Sequence, residues 1–239
     1  MAIERINNQL LSLPPAWMSR VVAGGGAMGN AQEIRKLLGE PMPELLDPSM
    51  LTAKIAAFFS PGGLLERLRK KLSLISRKKG GAFLPAKNTI ACVDEENNVC
   101  VGVDFLENFG DDESLVAGII AHEWGHMMSD LPKGVDWSHL TWEELFAIRR
   151  DEEGDADGFA GRALFFMGYS PEQMITFLRE MDRRRKEKQI PNHKYHNHAT
   201  RAAILRESYE AGERAVEVAK RIFLPGPTAP KVGRIIGAG

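Results

Sequence analysis

The feature that most constrains this chain is the string HEWGH at residues 122–126, which directly follows the apolar run at residues 117–121. The apolar run predicts a buried helix, and residues four apart on a helix lie on one face. His122 and His126 therefore project together, as two imidazole nitrogens must in order to hold one Zn²⁺. Glu123 lies on the flank of the same face, where its carboxylate can act as a general base without displacing a ligand.

Several acidic side chains compete for the third ligand position in the stretch DEEGDAD at residues 151–157. Glu153 and Asp157 are four apart and share a helix face, whereas Glu152 and Asp155 are expected to point elsewhere. In this arrangement Glu153 binds the metal, and Asp157 accepts the outer N–H of a ligating histidine, which fixes the orientation of the imidazole. A solvated acidic helix face is the alternative interpretation of this stretch.

Composition excludes some classes of function. The chain has 239 residues and a formal net charge of −1, which argues against a nucleic-acid partner. No apolar run approaches the roughly 18–20 residues that cross a bilayer, and the N-terminus lacks the pattern of an export signal. We therefore expect no transmembrane segment and a cytoplasmic location for the chain as written, or a periplasmic or membrane-associated one for a longer chain. The oligomeric state stays open.

The pattern of apolar residues divides the chain into three regions. Residues 1–80 are predicted to be a helical region of unknown role, with helices at 50–59 and 63–76. Residues 81–223 are predicted to be the catalytic domain, and residues 224–239 an extended or disordered tail. Within the second region we expect four helices, at 113–129, at 141–167 with a capping box at Thr141 and a C-cap at Gly168, after an N-cap at Ser170, and at 199–222.

Residues 88–106 have a β pattern that is interrupted by a polar turn at 94–98. If that turn closes a hairpin, Cys92 and Cys100 lie near each other across the strands. Two half-buried thiols in a reducing compartment are the favoured interpretation, because two cysteines cannot build a disulfide framework. The predicted fold is α+β: mostly helical, with a small antiparallel sheet beside the helix that carries the two histidines.

The sequence at 153–157 fits the E-x-x-A-D signature that follows H-E-x-x-H in the CAAX-prenyl-protease and HtpX family of zinc metalloendopeptidases. The chain resembles the soluble branch of that family over residues 88–205, about half its length. NTIA at 88–91 is similar to the family's N-A-F-A edge strand, and VGVDFL at 101–106 to the strand and turn that follow it. The resemblance implies a gluzincin-like zincin fold.

The same resemblance implies one catalytic Zn²⁺ held by His122, His126 and Glu153, with Glu123 as the base. It also implies that a peptide binds in extended form along the 88–93 edge strand, at the residues Asn88, Thr89, Ile90 and Ala91. An independent reason supports this expectation, because an exposed strand edge offers unpaired N–H and C=O groups to a peptide backbone.

Near the C-terminus the family has a T-H-P segment followed by an arginine, and this chain has HNHATR at 196–201. By this similarity, His198 or alternatively His196 would stabilise the developing oxyanion, and Arg201 would organise the site. A surface cluster of His193, His196 and His198 is the competing interpretation.

Together these patterns predict a zinc-dependent metalloendopeptidase, which hydrolyses a peptide or unfolded protein by attack of a zinc-bound water. The alternative is a non-catalytic or latent zinc-binding scaffold or interaction module that retains the metal site. In that case residues 1–80 could block the cleft or bind a partner.

Overall fold

A computed structural model describes residues 38, 43–128 and 137–223 of the chain. The predicted tail at 224–239, most of residues 1–42 and the predicted helix end at 129 lie outside the described residues. The described α-helices are α1 (Ala53–Phe59), α2 (Leu64–Ser76), α3 (Val103–Phe109), α4 (Glu113–His126), α5 (Trp142–Met167), α6 (Glu172–Glu187) and α7 (His198–Phe223). The strands are β1 (Glu44–Leu45), β2 (Phe83–Lys87), β3 (Ala91–Val93) and β4 (Val99–Gly102), and the same ranges contain two short 3-10 helices, Pro48–Met50 and Trp137–His139. The molecule is thus mostly helical with one small sheet, which confirms the α+β class.

The sheet has the strand order β1-β2-β4-β3 and is mixed. The β3–β4 hairpin is antiparallel as predicted, but β2 pairs with β4 in parallel, so the prediction of a purely antiparallel sheet is wrong. The reason is that residues 83–87, which contain Pro85, form a further strand on the other side of β4. Asn88 to Ile90 carry the chain across to the opposite edge, and β3 therefore lies at the edge of the sheet.

Two segments with a β pattern adopt other conformations. The expected strand at 88–93 begins only at Ala91, because Asn88 has a left-handed backbone with φ of 58°. Residues 103–106 belong to helix α3 rather than to a strand, and Phe105 and Leu106 are buried on its inner side. A short apolar run does not by itself distinguish a buried strand from a buried helix.

The helix boundaries of α5 follow the local signals closely. Thr141 and Glu144 form the predicted capping box, and Gly168 ends the helix in the left-handed conformation with φ of 81°. At the next helix the hydroxyl of Ser170 accepts the N–H of Glu172, where α6 begins, but the N-cap is Pro171, one residue after the predicted position. These signals depend on neighbours in sequence alone, which explains why they could be recognised.

Helix α4 is the centre of the hydrophobic core, and every residue from Leu115 to Gly125 is buried. Helices α1 and α2 pack into the same core through residues such as Ile55, Leu65 and Leu68. The division of the chain at residue 80 stays a prediction, and the described helices before it share the core of those after it. No helix in the described ranges is both long and apolar enough to cross a membrane.

Trp124, inside the histidine motif, is fixed by the end of α2 and by the segment before β2. Its indole N–H donates to the Ser76 hydroxyl at 3.0 Å, and the side chain is completely buried. A Cβ at position 80 would lie 2.3 Å from the indole ring, so only glycine fits there. The last residue of α2 and the chain between α2 and β2 therefore hold α4 in place through Trp124.

The two cysteines lie opposite each other as Cα partners in the β3–β4 ladder, as the hairpin predicted. Both are free thiols and are almost completely buried rather than half-buried as predicted. The adjacent Cys92 thiol, together with burial, raises the pKa of Cys100. The reducing compartment stays a prediction.

Candidate metal centre

Helices α4 and α5 bring the motif residues together. His122, Glu123 and His126 lie on the last turns of α4, while Glu153 lies in the middle of α5. The two helices approach so closely that a Cβ at Gly125 would be 2.7 Å from the Cα of Ala156. Because Ala156 is less than one turn from Glu153, this contact sets the distance between the two halves of the site.

The side chains of His122, His126 and Glu153 converge. Glu153 Oε2 lies 3.1 Å from His122 Nε2, and Glu153 Oε1 lies 3.7 Å from His126 Nε2. Ligand atoms of a tetrahedral zinc site with bonds of 2.0–2.1 Å are about 3.3–3.4 Å apart. The two distances lie on either side of that value. The ligand atoms of His122, Glu123 and His126 also lie within 4.8 Å of one another, so Glu123 is close to the same point.

The contact between His122 and Glu153 supports the fit of a cation. Glu153 Oε2 is buried and has no hydrogen-bond partner, although it lies 3.1 Å from His122 Nε2. Two ligand atoms of one metal ion lie at about this separation and do not form a hydrogen bond with each other. An unpartnered buried carboxylate oxygen is otherwise costly. The residues therefore fit a metal ion with nitrogen and oxygen ligands.

Each histidine also contacts a carboxylate through its other ring nitrogen. His122 Nδ1 lies 2.9 Å from Asp157 Oδ1 in a close contact outside hydrogen-bond geometry, and His126 Nδ1 bonds to Glu152 Oε1 at 3.2 Å. Glu152 is buried, so the expectation that it points elsewhere is wrong. The error arose because Glu153 and Asp157 were grouped by helical spacing alone, whereas Glu152 faces α4 beside them. Such carboxylates orient ligating imidazoles and raise their basicity.

Two arginines pair with these carboxylates. Arg149, one turn before Glu153 on α5, is buried and binds both Glu152 and Glu153. Arg201 on α7 binds Asp157 with two hydrogen bonds, of 2.6 and 2.8 Å. The sequence-based prediction missed Arg149, although an arginine three and four residues before two glutamates on a helix is a recognisable ion-pair pattern.

The arginines keep the acids ionised despite their burial. Burial alone would raise the pKa of Glu153, but Arg149 and the imidazoles outweigh it and hold that pKa well below its usual value. The pKa of Asp157 is lowered in the same way, since Arg201 outweighs burial. For His122, burial lowers the pKa, yet Asp157 and Glu153 outweigh it and raise that pKa to about 10. The site therefore attracts positive charge.

A cleft of about 430 Å³ opens onto this cluster. Its lining includes His122, Glu123, His126 and Glu153, together with the predicted substrate residues Asn88, Thr89, Ile90 and Ala91. The cleft therefore contains both the converging ligands and the segment at the start of the edge strand.

The register of β3 shows which backbone groups are open to the cleft. Gly102 N donates to Ile90 O, and Asp94 N donates to Asn98 O, both at 2.9 Å. In an antiparallel ladder the intervening residue that pairs with β4 is Cys92, so the N–H and C=O of Ala91 point toward the open edge. Thr89 Oγ1 already donates to the Ala91 carbonyl at 3.1 Å.

The predicted oxyanion residues lie elsewhere. His198, at the first position of α7, bonds to Asp182 at 2.8 Å, and neither His198 nor His196 is among the residues that line the cleft. Tyr195, on the loop before α7, does line it, and Arg201 lies 5.2 Å from the centre of its ring. Sequence reasoning missed Tyr195, because nothing in the local pattern distinguishes it from an ordinary loop residue.

In comparisons with known proteins, the sequence matches no model of a protein family and no curated protein.

Proposed function

We propose that this chain is a zinc-dependent metalloendopeptidase of the gluzincin-like type, related to the CAAX-prenyl-protease and HtpX family that its motifs resemble. The observation that carries the proposal is the convergence of His122, His126 and Glu153 next to Glu123, in a cleft that the start of an open edge strand borders. Hydrolysis of a peptide bond needs these components: ligands for a Lewis acid, a base beside them, and a surface that binds a peptide backbone.

His122, His126 and Glu153 would hold the ion, and Glu152 and Asp157 would orient the two imidazoles. Zn²⁺ bound there would lower the pKa of a water molecule and polarise the carbonyl of the scissile bond.

The catalytic proton transfers would fall to Glu123. Its carboxylate would take a proton from the attacking water and deliver it to the departing amide nitrogen, so that water adds across the broken C–N bond. Glu123 suits this role because it is buried beside the ligands and lines the cleft.

The oxyanion that develops on the carbonyl of the scissile bond needs a hydrogen-bond donor in the cleft. Tyr195 provides a phenol among the lining residues, and we assign this function to it rather than to His198 or His196. Arg201 links the two parts of the site, because it binds Asp157 and packs over the Tyr195 ring.

The peptide backbone would bind along the start of β3. The outward-facing N–H and C=O of Ala91 allow an extended chain to add as a further strand. Asn88, Thr89 and Ile90 continue this border of the cleft, although they do not belong to the strand itself.

The test compares zinc-loaded wild type with Glu123→Gln on fluorescently labelled unfolded casein. We expect Glu123→Gln to retain its zinc and to lose activity by about 10²-fold or more. Glu107→Gln, which removes an exposed carboxylate of α3 outside the cleft, should retain full activity. Equal cleavage by wild type and Glu123→Gln would refute the mechanism. Stoichiometric zinc without cleavage by wild type would instead favour a latent zinc-binding scaffold.

A further inference from the structure

A second cavity adjoins the candidate cleft. It has a volume of about 610 Å³ and lies between the segment before β3, helix α3, the start of α4 and helix α6. It shares part of its lining with the cleft, namely Thr89, Ile90, Phe177 and Met181. A peptide bound along β3 would therefore pass the opening of this cavity.

The wall of the cavity is aromatic. The rings of Phe105, Phe109 and Phe177 pack against one another with centroids 5.4 to 6.0 Å apart. Phe109 and Met181 are each 38% exposed and belong to one contiguous apolar wall, which is more informative than a single exposed apolar residue. An apolar wall left open to water beside a peptide-binding edge favours the burial of an apolar side chain from outside.

The rim of the cavity is acidic. Four acids and one cation lie on it. Glu172 is paired with Arg206, and Glu180 with the one cation of the rim, Arg184. The exposed Asp104 and Asp112 have no ion pair among the described residues. Asp112 accepts the backbone N–H of Leu115 as the N-cap of α4. The rim is therefore complementary to a basic side chain beside the apolar one.

The position of the cavity along α4 indicates which substrate residue it receives. Leu115 lines the cavity, and His122 comes seven residues later, which is about 10 Å along the helix axis. An extended peptide advances about 3.3 Å per residue. For a peptide that runs alongside α4 this distance corresponds to about three residues, so the side chain in the cavity would lie two or three positions from the bond that is cleaved.

We propose that this cavity is a specificity pocket, which selects substrates carrying an aromatic or long aliphatic side chain two or three residues from the scissile bond, next to a lysine or arginine. The inference rests on the proposed function, because it requires the cleft to be a peptide-binding site. Its test includes a binding measurement that does not require cleavage.

The key variant is Thr176→Trp. Thr176 is an exposed residue of α6 on the lining of the cavity, so a larger side chain there fills the cavity without entering the core. Arg179→Trp adds the same bulk to an exposed position of the same helix outside the lining and serves as the control. Asp104→Asn tests the rim, and Glu107→Gln on the same helix is its control.

Peptides that place Phe, Leu, Ala or Ser at each position around one cleavable bond are assayed for kcat/KM. We expect a preference of about 10- to 100-fold for Phe or Leu over Ser at one position, as expected for burial of a large apolar side chain. Thr176→Trp should abolish this preference, and Arg179→Trp should retain it. Asp104→Asn should lower the advantage of a flanking lysine by about two- to fivefold, and added salt should have the same effect.

The same peptides are measured for binding to Glu123→Gln by fluorescence anisotropy. If no peptide is cleaved but binding depends on Phe or Leu and is lost in Thr176→Trp, the pocket is supported and the proposed activity fails. If cleavage occurs and neither kcat/KM nor binding depends on the apolar side chain, the activity stands and the pocket is refuted. The proposal is also overturned if the Phe and Leu peptides bind equally well to Glu123→Gln and to the double variant Glu123→Gln, Thr176→Trp.

Discussion

The contact between Gly125 and Ala156 gives the sharpest test of how the fold sets the site. A Cβ at Gly125 would lie 2.7 Å from the Ala156 Cα, whereas non-bonded carbons settle at about 3.5–4.0 Å. Gly125→Ala must therefore move α4 and α5 apart by about 0.8 Å or more near Glu153. Zinc ligands tolerate displacements of only about 0.2 Å, so the substitution should weaken zinc binding as well as packing.

The control is Gly154→Ala on α5. Its Cβ would meet nothing closer than the His196 ring at 3.6 Å, an ordinary contact. Both variants replace a helical glycine with alanine, so the gain in helix propensity of about 1 kcal/mol cancels between them. Their free energies of unfolding should then differ by the overpacking cost, about 1–3 kcal/mol. That difference corresponds to about 2–12 °C in Tm for a domain of this size.

Unfolding is followed by circular dichroism in urea with chelator present, so that zinc does not contribute to stability. Zinc affinity is measured separately by competition with a fluorescent chelator. We expect Gly125→Ala to bind zinc at least about tenfold more weakly than Gly154→Ala. Equal urea midpoints would refute the argument from close packing. A destabilised Gly125→Ala protein with unchanged zinc affinity would show that this contact does not position Glu153.

Three further predictions concern the carboxylates and the phenol around the ligands. Glu152→Gln should lower zinc affinity about 10- to 100-fold by chelator competition, and exposed Glu143→Gln should leave it unchanged. Arg201→Met should cost about 3–5 kcal/mol in urea unfolding near pH 7. The pKa of Asp157 in the folded protein is lowered from 3.8, so its ion pair with Arg201 stabilises the fold above pH 3.8 and is lost as the pH falls through the lowered pKa. In Arg201→Met the unpaired Asp157 takes up a proton at a higher pH, so the loss of unfolding free energy caused by the substitution should shrink toward about pH 4. A loss that is constant with pH would contradict the pairing of Arg201 with Asp157. Tyr195→Phe should reduce kcat about 10- to 100-fold with little change in KM, and an unchanged kcat would remove Tyr195 from the proposed mechanism.

The parts of the fold that could be predicted are those that local spacing determines. The capping box at Thr141 and the left-handed Gly168 depend on residues within one helical turn. The common face of His122 and His126 follows from helical geometry in the same way.

The parts that could not be predicted depend on contacts between distant segments. The parallel pairing of β2 with β4 requires residues 88–90 to cross the sheet, and no local pattern encodes that crossing. Tyr195 enters the cleft because the loop before α7 returns over α5, so its position is determined by packing. Glu152 was misjudged since helical spacing gives the direction of a side chain only relative to its own helix, not to α4.

The charges around the imidazoles determine what kind of ion the site can hold. Four buried carboxylates, Glu123, Glu152, Glu153 and Asp157, outnumber the two largely buried guanidinium groups around them by two. Without a metal, part of the compensating positive charge is on His122, because Asp157 and Glu153 raise its pKa to about 10. Buried acids usually respond to such a deficit by taking up protons. Arg149 and Arg201 oppose this response by holding the pKa of Glu153 and Asp157 low. We propose that a divalent cation would replace the proton on His122 and balance these acids, and two imidazole ligands would favour zinc over calcium or magnesium, which prefer oxygen alone.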